Sequence, residues 1–238
     1  MNRSSAASAP SIREEPQRLE DDLDLALAVA SHEFRSPLVA AELALESILA
    51  EADLAPKERR LLSKASMEVR DVAREMDGML SWAAGRRRPS RRLLDLHRLA
   101  TQVAHECVRL AGGGRIEVKG KRTLIRGDRG LLRLALRNLM RNALAYGGDE
   151  PSVLVGVLRF PHVASITIRD RGPGVPQAEV TSIFDPFMRG VSGSRVHGAG
   201  LGLYIARRIV QDHGGQLHAT AGRTGGAFRV RLPVEEVV

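Results

Sequence analysis

His32 stands beside a carboxylate and five residues before a proline, within the segment SHEFRSPL at 31–38. A neutral imidazole nitrogen is a competent nucleophile near pH 7. Glu33 can orient the ring and accept the proton of its other nitrogen, and Ser36 falls about 40° from His32 on a helix that turns about 100° per residue. Pro37 can bend such a helix. The segment predicts a nucleophilic histidine, and the alternative is an ordinary solvated histidine.

Two asparagines, Asn138 and Asn142, are spaced i and i+4 in a predicted helix and therefore share a face. Amide oxygens suit Mg²⁺, a hard cation that takes oxygen ligands. A neutral amide ligand is sensible where the bound molecule already supplies negative charge. The alternative is a pair of hydrogen-bonded core amides.

Asp170 follows a predicted strand and precedes Gly172 and Gly174. This pattern fits either a carboxylate that binds a ligand or a simple turn.

Further along, Gly198, Gly200 and Gly202 open a predicted helix. Glycines let backbone N–H groups approach phosphates, and a helix N-terminus favours anions. The segment 190–200 has few apolar anchors, so we expect a mobile lid.

The elements that must position these residues fall into two regions. The helical pattern of 19–84 contains two apolar seams joined by a turn at 51–56. The seams comprise Leu27, Ala30, Phe34, Leu38, Ala41, Leu45 and Ile48, then Leu62, Ala65, Val69, Val72, Met76 and Met79. The second seam is heptad-spaced, whereas the first has an extra step of four beside Pro37. On the helical wheel His32 lies opposite the first seam, facing solvent. One such hairpin has too little core to stand alone, so we expect a homodimeric four-helix bundle through 19–84.

The second region mixes helices and strands. Helices are predicted at 95–110, 128–145 and 201–213, and strands at 115–119, 122–126, 152–160, 163–169, 216–221 and 227–232. The predicted fold class is α + α/β: a helical hairpin that forms the dimeric bundle, followed by a two-layer α/β sandwich. We assign 1–17 to a disordered segment, 18–84 to the hairpin, 85–92 to a basic linker and 93–238 to the sandwich.

Composition excludes several classes of protein. The single cysteine, Cys107, rules out an intramolecular disulfide and is expected to be a small buried residue. The net charge of +8 is concentrated in the basic linker, and aromatic residues are only 3%, so we predict no nucleic-acid partner. Because no apolar run is long enough to span a bilayer, we expect no membrane insertion and a cytoplasmic location.

The segment SHEFRSPL resembles the H-box of sensor histidine kinases. The later motifs, in order, resemble the N, G1, F and G2 boxes of their ATP-binding domain, which has the Bergerat (GHKL) fold. The resemblance covers about residues 19–233. It implies an ATP-dependent protein-histidine kinase of a two-component system, with Mg²⁺ as cofactor and the receiver domain of a response regulator as partner.

The resemblance also implies roles for single residues. His32 would accept the phosphoryl group, Glu33 would be its acid–base partner, and Ser36 would assist dephosphorylation of the regulator. Asn142 would coordinate Mg²⁺. The implied ATP-binding residues are Asn138, Asn142, Tyr146, Asp170, Gly172, Gly174, Phe184, Phe187, Arg189, Gly198, Gly200, Leu201 and Gly202. Among them, Tyr146 would lie against the adenine and Asp170 would bond to its amino group. Phe184 and Phe187 would anchor the lid, and Arg189 and the glycines would meet phosphate.

The chain departs from the family pattern at Ala145, where many members carry Lys or Arg; Arg141 or Arg189 would then compensate. No sensor domain precedes the H-box, so we expect the signal to come from a separate protein, from the N-terminal segment or from a longer chain. The alternatives are a degenerate nucleotide-binding scaffold, a phosphatase-dominant partner-binding protein, or another ATPase with the same nucleotide fold.

Overall fold

The computed structural model describes residues 14–51, 53–87, 90–148, 151–188, 200–222 and 225–234. It opens with two long helices, α1 (Glu14–Glu51) and α2 (Pro56–Arg87), which pack together as a hairpin. Because α1 begins at Glu14, residues 14–17 of the predicted disordered segment are helical, and 1–13 lie outside the described residues. Helix α1 continues through Pro37.

The predicted seam of α1 is only partly covered. Leu38, Ala41 and Leu45 are half-buried, whereas Phe34 and Ile48 remain 56% and 43% exposed. Since exposed apolar residues on a helix seam suit a further helical partner, this surface is compatible with the predicted bundle. The bundle itself stays a prediction.

The C-terminal end of α2 packs against the α/β domain, whereas the sequence analysis assigned the whole apolar seam of this helix to the bundle. Met76, Met79 and Trp82 are at most 9% exposed and belong to the hydrophobic core of the following α/β domain (residues 90–234). Gly78 lies on the same face, because a Cβ there would be 3.6 Å from both Leu134 Cδ1 and Ile205 Cδ1. The reason is that the α/β domain offers these side chains a larger apolar surface than a second thin helix does.

The predicted linker at 85–92 is shorter than expected. Helix α2 extends to Arg87, and a strand that the sequence pattern did not predict, β1 (Arg91–Asp95), begins four residues later. Strand β1 pairs antiparallel with β3 (Leu124–Asp128) in a small two-stranded sheet. A five-residue strand that is exposed for most of its length carries little apolar alternation, which explains why the pattern missed it.

The main sheet has five strands in the order β2-β4-β5-β7-β6. Its strands are β2 (Arg115–Gly120), β4 (Ser152–Arg159), β5 (Val163–Arg169), β6 (Gln216–Thr220) and β7 (Ala227–Pro233). Strands β2 and β4 are parallel, and the other pairs are antiparallel. Three helices pack on one face: α3 (Leu96–Ala111), α4 (Arg129–Tyr146) and α5 (Gly202–Asp212). The predicted two-layer arrangement of helices on a mixed sheet is therefore confirmed.

Asp95 and Asp128, which were predicted as first residues of α3 and α4, are their N-caps. The Asp128 carboxylate accepts hydrogen bonds from the backbone N–H groups of Gly130 and Leu131 at 2.8 and 3.0 Å. Desolvation acts to raise the pKa of Asp128, but bonds from Leu131, Ser90 and Gly130 outweigh it and hold the pKa below its usual value. These caps fix where α4, with its two asparagines, begins.

Candidate functional site

A cavity of about 790 Å³ lies between α2, α4, the end of β5 and the start of α5. This volume suits a small-molecule ligand. Seven of the predicted site residues line it: Asn138, Asn142, Tyr146, Asp170, Gly174, Gly200 and Gly202. These seven residues come from three separate segments of the sequence and surround one space.

Asp170 is fixed by the backbone around it. It is 5% exposed, and its Oδ1 accepts hydrogen bonds from the N–H groups of Gly172 at 2.8 Å and Gly226 at 2.9 Å. Its own N–H donates to the carbonyl of Gly226 at 3.0 Å. With Oδ1 held in this way, Oδ2 is the oxygen that can accept a hydrogen bond from a ligand in the cavity.

The glycines after Asp170 are required by close backbone approaches. A Cβ on Gly172 would lie 2.2 Å from the carbonyl oxygen of Tyr146, at the end of α4. Gly174 has φ +81°, and a Cβ there would lie 2.2 Å from the carbonyl oxygen of Gly222. These contacts bring the loop after β5 against the end of α4, which closes one wall of the cavity.

The two asparagines of α4 both line the cavity, as their shared face predicted. Asn138 donates from Nδ2 to the carbonyl of Gly202 at 3.1 Å, so it ties α4 to the first turn of α5. Gly200 has φ +77°, and a Cβ there would lie 2.9 Å from the carbonyl oxygen of Met188. The start of α5 therefore presents its backbone directly to the cavity beside Asn142.

Other predicted residues lie around the cavity rather than on its wall. Gly172 packs behind Asp170, and Leu201 is fully buried at the start of α5. Phe184 is also buried, edge-on to Phe228 with ring centroids 6.2 Å apart, whereas Phe187 is 56% exposed with φ 64°. Two further predicted ATP-binding residues, Arg189 and Gly198, lie outside the described residues, as does the rest of the predicted lid between them.

The predicted nucleophile lies on α1, outside the cavity wall. The His32 side chain is 78% exposed, as the helical wheel predicted, and its Nδ1 is 3.6 Å from Glu33 Oε1. Ser36 is exposed on the same helix. Nearby, Arg35 Nε lies 2.9 Å from Asp77 Oδ1 of α2, and this ion pair joins the two helices of the hairpin close to His32.

Sequence reasoning missed the residues that α2 contributes. Arg74 and Glu75 line the cavity, and Glu75 Oε2 accepts a hydrogen bond from the N–H of Leu201 at 2.9 Å. No motif marks these two residues, because charged residues outside an apolar seam normally face solvent. Gly226 was also missed, although a glycine pair directly before β7 is a signal for close backbone approach.

Cys107 and Arg137 lie deeper along the same cavity. Burial raises the pKa of the Cys107 thiol to about 11, so the thiol stays protonated near neutral pH and is unreactive. Desolvation lowers the pKa of Arg137, which still remains a cation near neutral pH. Arg141 and Arg74 also line the wall, as do the carboxylates of Glu75, Asp170 and Glu179, so the cavity offers an anionic ligand cations that lie beside three carboxylates.

No helix in the described ranges is both long and apolar enough to cross a bilayer.

Comparison with known proteins identifies the α/β domain. Residues 127–236 match the family described as histidine kinase-, DNA gyrase B-, and HSP90-like ATPase. The adaptive-response sensory kinase SasA of Synechococcus sp. (strain JA-2-3B'a(2-13)) is 30% identical over 240 residues, covering 94% of this chain and 63% of SasA. The sensor-like histidine kinase SenX3 of Mycobacterium tuberculosis is 28% identical over 216 residues, covering 87% of this chain and 53% of SenX3. The chain thus spans less than two thirds of the length of these relatives.

Solved structures agree with these relatives. The mycobacterial sensor histidine kinase MprB superposes with a TM-score of 0.56 at 28% identity, over 60% of this chain and 97% of that one. Full-length ShkA in complex with AMPPNP superposes with a TM-score of 0.62 at 25% identity, over 87% of this chain and 45% of ShkA. Because the ATPase match, the sensor-kinase relatives and the arrangement of hairpin and α/β domain agree, the α/β domain is identified as a GHKL-type ATPase domain and the chain as a whole is similar to sensor histidine kinases.

Proposed function

We propose that the protein is an ATP-dependent histidine kinase that phosphorylates itself on His32 and passes the phosphoryl group to an aspartate of a response regulator. One observation carries the proposal: an exposed imidazole on α1 and a nucleotide-sized cavity that contains Asp170 and the backbone of the first turn of α5 occur in one chain. The match to ATPases of this family and the AMPPNP bound to ShkA support ATP as the ligand.

Adenine recognition is assigned to Asp170. Its Oδ2 accepts a hydrogen bond from the exocyclic amino group, while Oδ1 remains bonded to the loop. Tyr146 lies on the same wall and covers the base. The triphosphate then runs towards Gly200 and Gly202, where backbone N–H groups and the positive end of the α5 dipole stabilise its charge.

Mg²⁺ fits the donor set of this cavity. Among the described residues, no group of three or more His, Cys, Asp or Glu side chains is placed to hold a metal ion alone. Mg²⁺ commonly takes one or two protein ligands and completes its shell with phosphates and water. Asn142 offers an amide oxygen for this role, and the bound ion would neutralise charge on the transferred phosphoryl group.

In the transfer step, the unprotonated ring nitrogen of His32 attacks the γ-phosphorus and the bond from that phosphorus to the oxygen of ADP breaks. Glu33 orients the ring and accepts the proton of the other ring nitrogen. Since His32 is not among the described residues that line the cavity, the ATPase domain must move relative to α1 before transfer, or serve the partner subunit's histidine.

A homodimer through the hairpin is part of the proposal. The exposed seam residues Phe34 and Ile48 would be buried between two hairpins, which would complete a four-helix bundle. The opposite face of α1 would keep His32 and Ser36 open to the receiver domain of the regulator, where Ser36 is assigned to help dephosphorylation.

The test is incubation with ATP labelled in the γ-phosphate. We expect a label that is lost in acid and retained in base, as for a phosphoramidate, and its loss in His32→Gln. The matched control is His105→Gln, which removes another exposed histidine and should keep the label. No label on the wild-type protein despite ATP binding would favour the nucleotide-binding scaffold instead.

A further inference from the structure

A hydrogen bond between α2 and the start of α5 lies at the proposed phosphate end of the cavity. Glu75 Oε2 accepts a hydrogen bond from the backbone N–H of Leu201 at 2.9 Å. The Leu201 side chain is fully buried, so this N–H has a fixed direction. Glu75 lines the cavity together with Gly200 and Gly202, the residues that flank this N–H group.

The contact fills a position where an anion is expected. The first N–H groups of a helix have no partner within the helix, and α5 receives no hydrogen bond from the side chain of its own N-cap residue, Leu201. A carboxylate from another helix supplies the missing acceptor. Its charged oxygen resembles a phosphate oxygen in charge and hydrogen-bonding capacity, so the two compete for one N–H group.

The rest of the hairpin holds Glu75 in place against α5. Trp82 Nε1 donates to Asp212 Oδ2 at 2.9 Å, at the C-terminal end of α5. In the middle of α5, Asp24 of α1 accepts hydrogen bonds from Tyr204 Oη at 2.5 Å and Arg208 Nε at 3.1 Å. Both hairpin helices contact α5, so the packing of the hairpin on the α/β domain positions Glu75 next to the N–H of Leu201.

We propose that Glu75 is an autoinhibitory residue, whose carboxylate occupies the phosphate position of the ATP site until a nucleoside di- or triphosphate displaces it. The inference rests on the proposed function, since it assumes that the phosphates reach the start of α5. Displacement has two consequences. It weakens ATP binding in the resting arrangement, and it couples binding to release of α5 from α2, because linkage between two equilibria is reciprocal.

The test compares ligands that do and do not carry phosphates. Glu75→Gln keeps the shape and an acceptor oxygen but removes the charge that repels phosphate. Charge-assisted bonds are about twice as strong as neutral ones, so we expect ATP and ADP to bind roughly three- to ten-fold more tightly. Adenosine has no phosphate to reach the N–H of Leu201, so its affinity should be unchanged. Asp77→Asn is the matched control, since it removes a carboxylate from α2 that pairs with Arg35 and does not line the cavity.

A second measurement uses the wild-type protein. ATP should increase hydrogen exchange in the α2 peptides around Glu75, whereas adenosine should leave it unchanged. Unaltered ATP affinity in Glu75→Gln, an equal gain for adenosine, or no exchange difference between ATP and adenosine would each overturn the proposal. Failure of the proposed ATP site gives a different result: wild type and Asp170→Asn would then bind ATP equally well or not at all. Failure of the proposed kinase activity is seen as ATP binding without label on the wild type.

Discussion

Asp24 of α1 and Arg208 of α5 form a buried ion pair between the helix that carries His32 and the ATPase domain. The carboxylate oxygen Oδ2 lies 3.1 Å from Nε and 2.5 Å from Nη2 of the guanidinium. The two residues are only 4% and 6% exposed. Asp24 precedes His32 by about two helical turns, so the pair fixes the ATPase domain against the part of α1 that precedes His32, without placing His32 on the cavity wall.

Removing the charge of Asp24 should loosen this arrangement. In Asp24→Asn, Arg208 would be left as an uncompensated buried cation, a defect that typically costs about 3–5 kcal/mol. Since the proposed transfer within one chain requires the domain to move, we expect initial autophosphorylation to be faster by at least about five-fold. A barrier lower by about 1.4 kcal/mol corresponds to about a factor of ten in rate. The measurement is the initial rate of label incorporation at saturating ATP.

Glu46→Gln serves as the control for Asp24→Asn. It removes a half-exposed carboxylate that pairs with Arg70 within the hairpin. Exposed pairs contribute little, so its rate should stay within about two-fold of wild type. A normal or reduced rate in folded Asp24→Asn would contradict the idea that the pair restrains the enzyme.

Gly172→Ala should damage the part of the cavity around Asp170. The added Cβ would be 2.2 Å from the carbonyl oxygen of Tyr146, which is backbone and cannot rotate away. The loop that holds Asp170 would have to shift, and we expect ATP affinity to fall by about ten-fold or more. Isothermal titration with ATP measures the loss.

The matched control for that substitution is Gly156→Ala, in the middle of β4. A Cβ there meets no heavy atom within 4 Å among the described residues. It should leave ATP affinity unchanged and stability equal to wild type or slightly higher, since alanine reduces the entropy of the unfolded chain. Equal effects of the two substitutions on ATP binding would refute the close approach at Gly172.

Much of this site follows from local sequence. The exposure of His32 follows from helical periodicity, and the shared face of Asn138 and Asn142 follows from their spacing. Asp170 could be recognised because a strand end followed by glycines is a local pattern. In each case the information lies within a few residues of the chain.

The residues that could not be predicted depend on how the hairpin packs on the ATPase domain. Glu75 and Asp24 stand in ordinary charged segments, and only the position of α5 makes them partners of Leu201 and Arg208. For the same reason, the sequence pattern predicts that Met79 packs in the helical bundle, whereas in the structure it packs in the core of the α/β domain. Long-range contacts of this kind carry no periodic signal.

The predicted dimer can be tested on two faces of α1. Ile48 lies on the seam and is 43% exposed, while Leu43 is 61% exposed on the face of His32. A buried Ile contributes about 1.5–3 kcal/mol, and a two-fold symmetric interface counts it twice. We therefore expect Ile48→Glu to weaken dimerisation by about 100-fold or more, as measured by analytical ultracentrifugation.

Leu43→Glu is the matched variant, because it introduces the same charge on the opposite face. It should remain dimeric and autophosphorylate, but transfer more slowly to the response regulator, which would contact this face. If Leu43→Glu were the monomeric variant and Ile48→Glu the dimeric one, the orientation assigned to α1 in the bundle would be wrong.

His213 should make the stability of the ATPase domain depend on pH. It is buried, its Nε2 accepts a hydrogen bond from the N–H of Asp128 at 3.0 Å, and its Nδ1 lies 2.7 Å from the carbonyl oxygen of Ile209. This arrangement requires the neutral ring with the proton on Nδ1. Desolvation lowers the pKa of His213 and nearby Arg91 adds to this, although the Ile209 carbonyl, Asp128 and Asp212 act in the opposite direction.

The sign follows from proton uptake on unfolding. A histidine in the unfolded chain titrates near pH 6.5, whereas folded His213 has a lower pKa. Below pH 6.5 the unfolded chain therefore binds more protons than the folded protein does, and the free energy of unfolding falls as pH decreases. The contribution is at most about 1.4 kcal/mol per pH unit. Urea denaturation between pH 7.5 and 5.5 measures this contribution above the pH range in which most carboxylates titrate.

His213→Gln can still accept the hydrogen bond from the N–H of Asp128 but cannot titrate, so it should lose this pH dependence of stability. His105→Gln, which removes an exposed histidine, should keep the wild-type slope. An identical pH dependence in wild type and His213→Gln would show that the neutral ring between Asp128 and Ile209 does not control stability in this range.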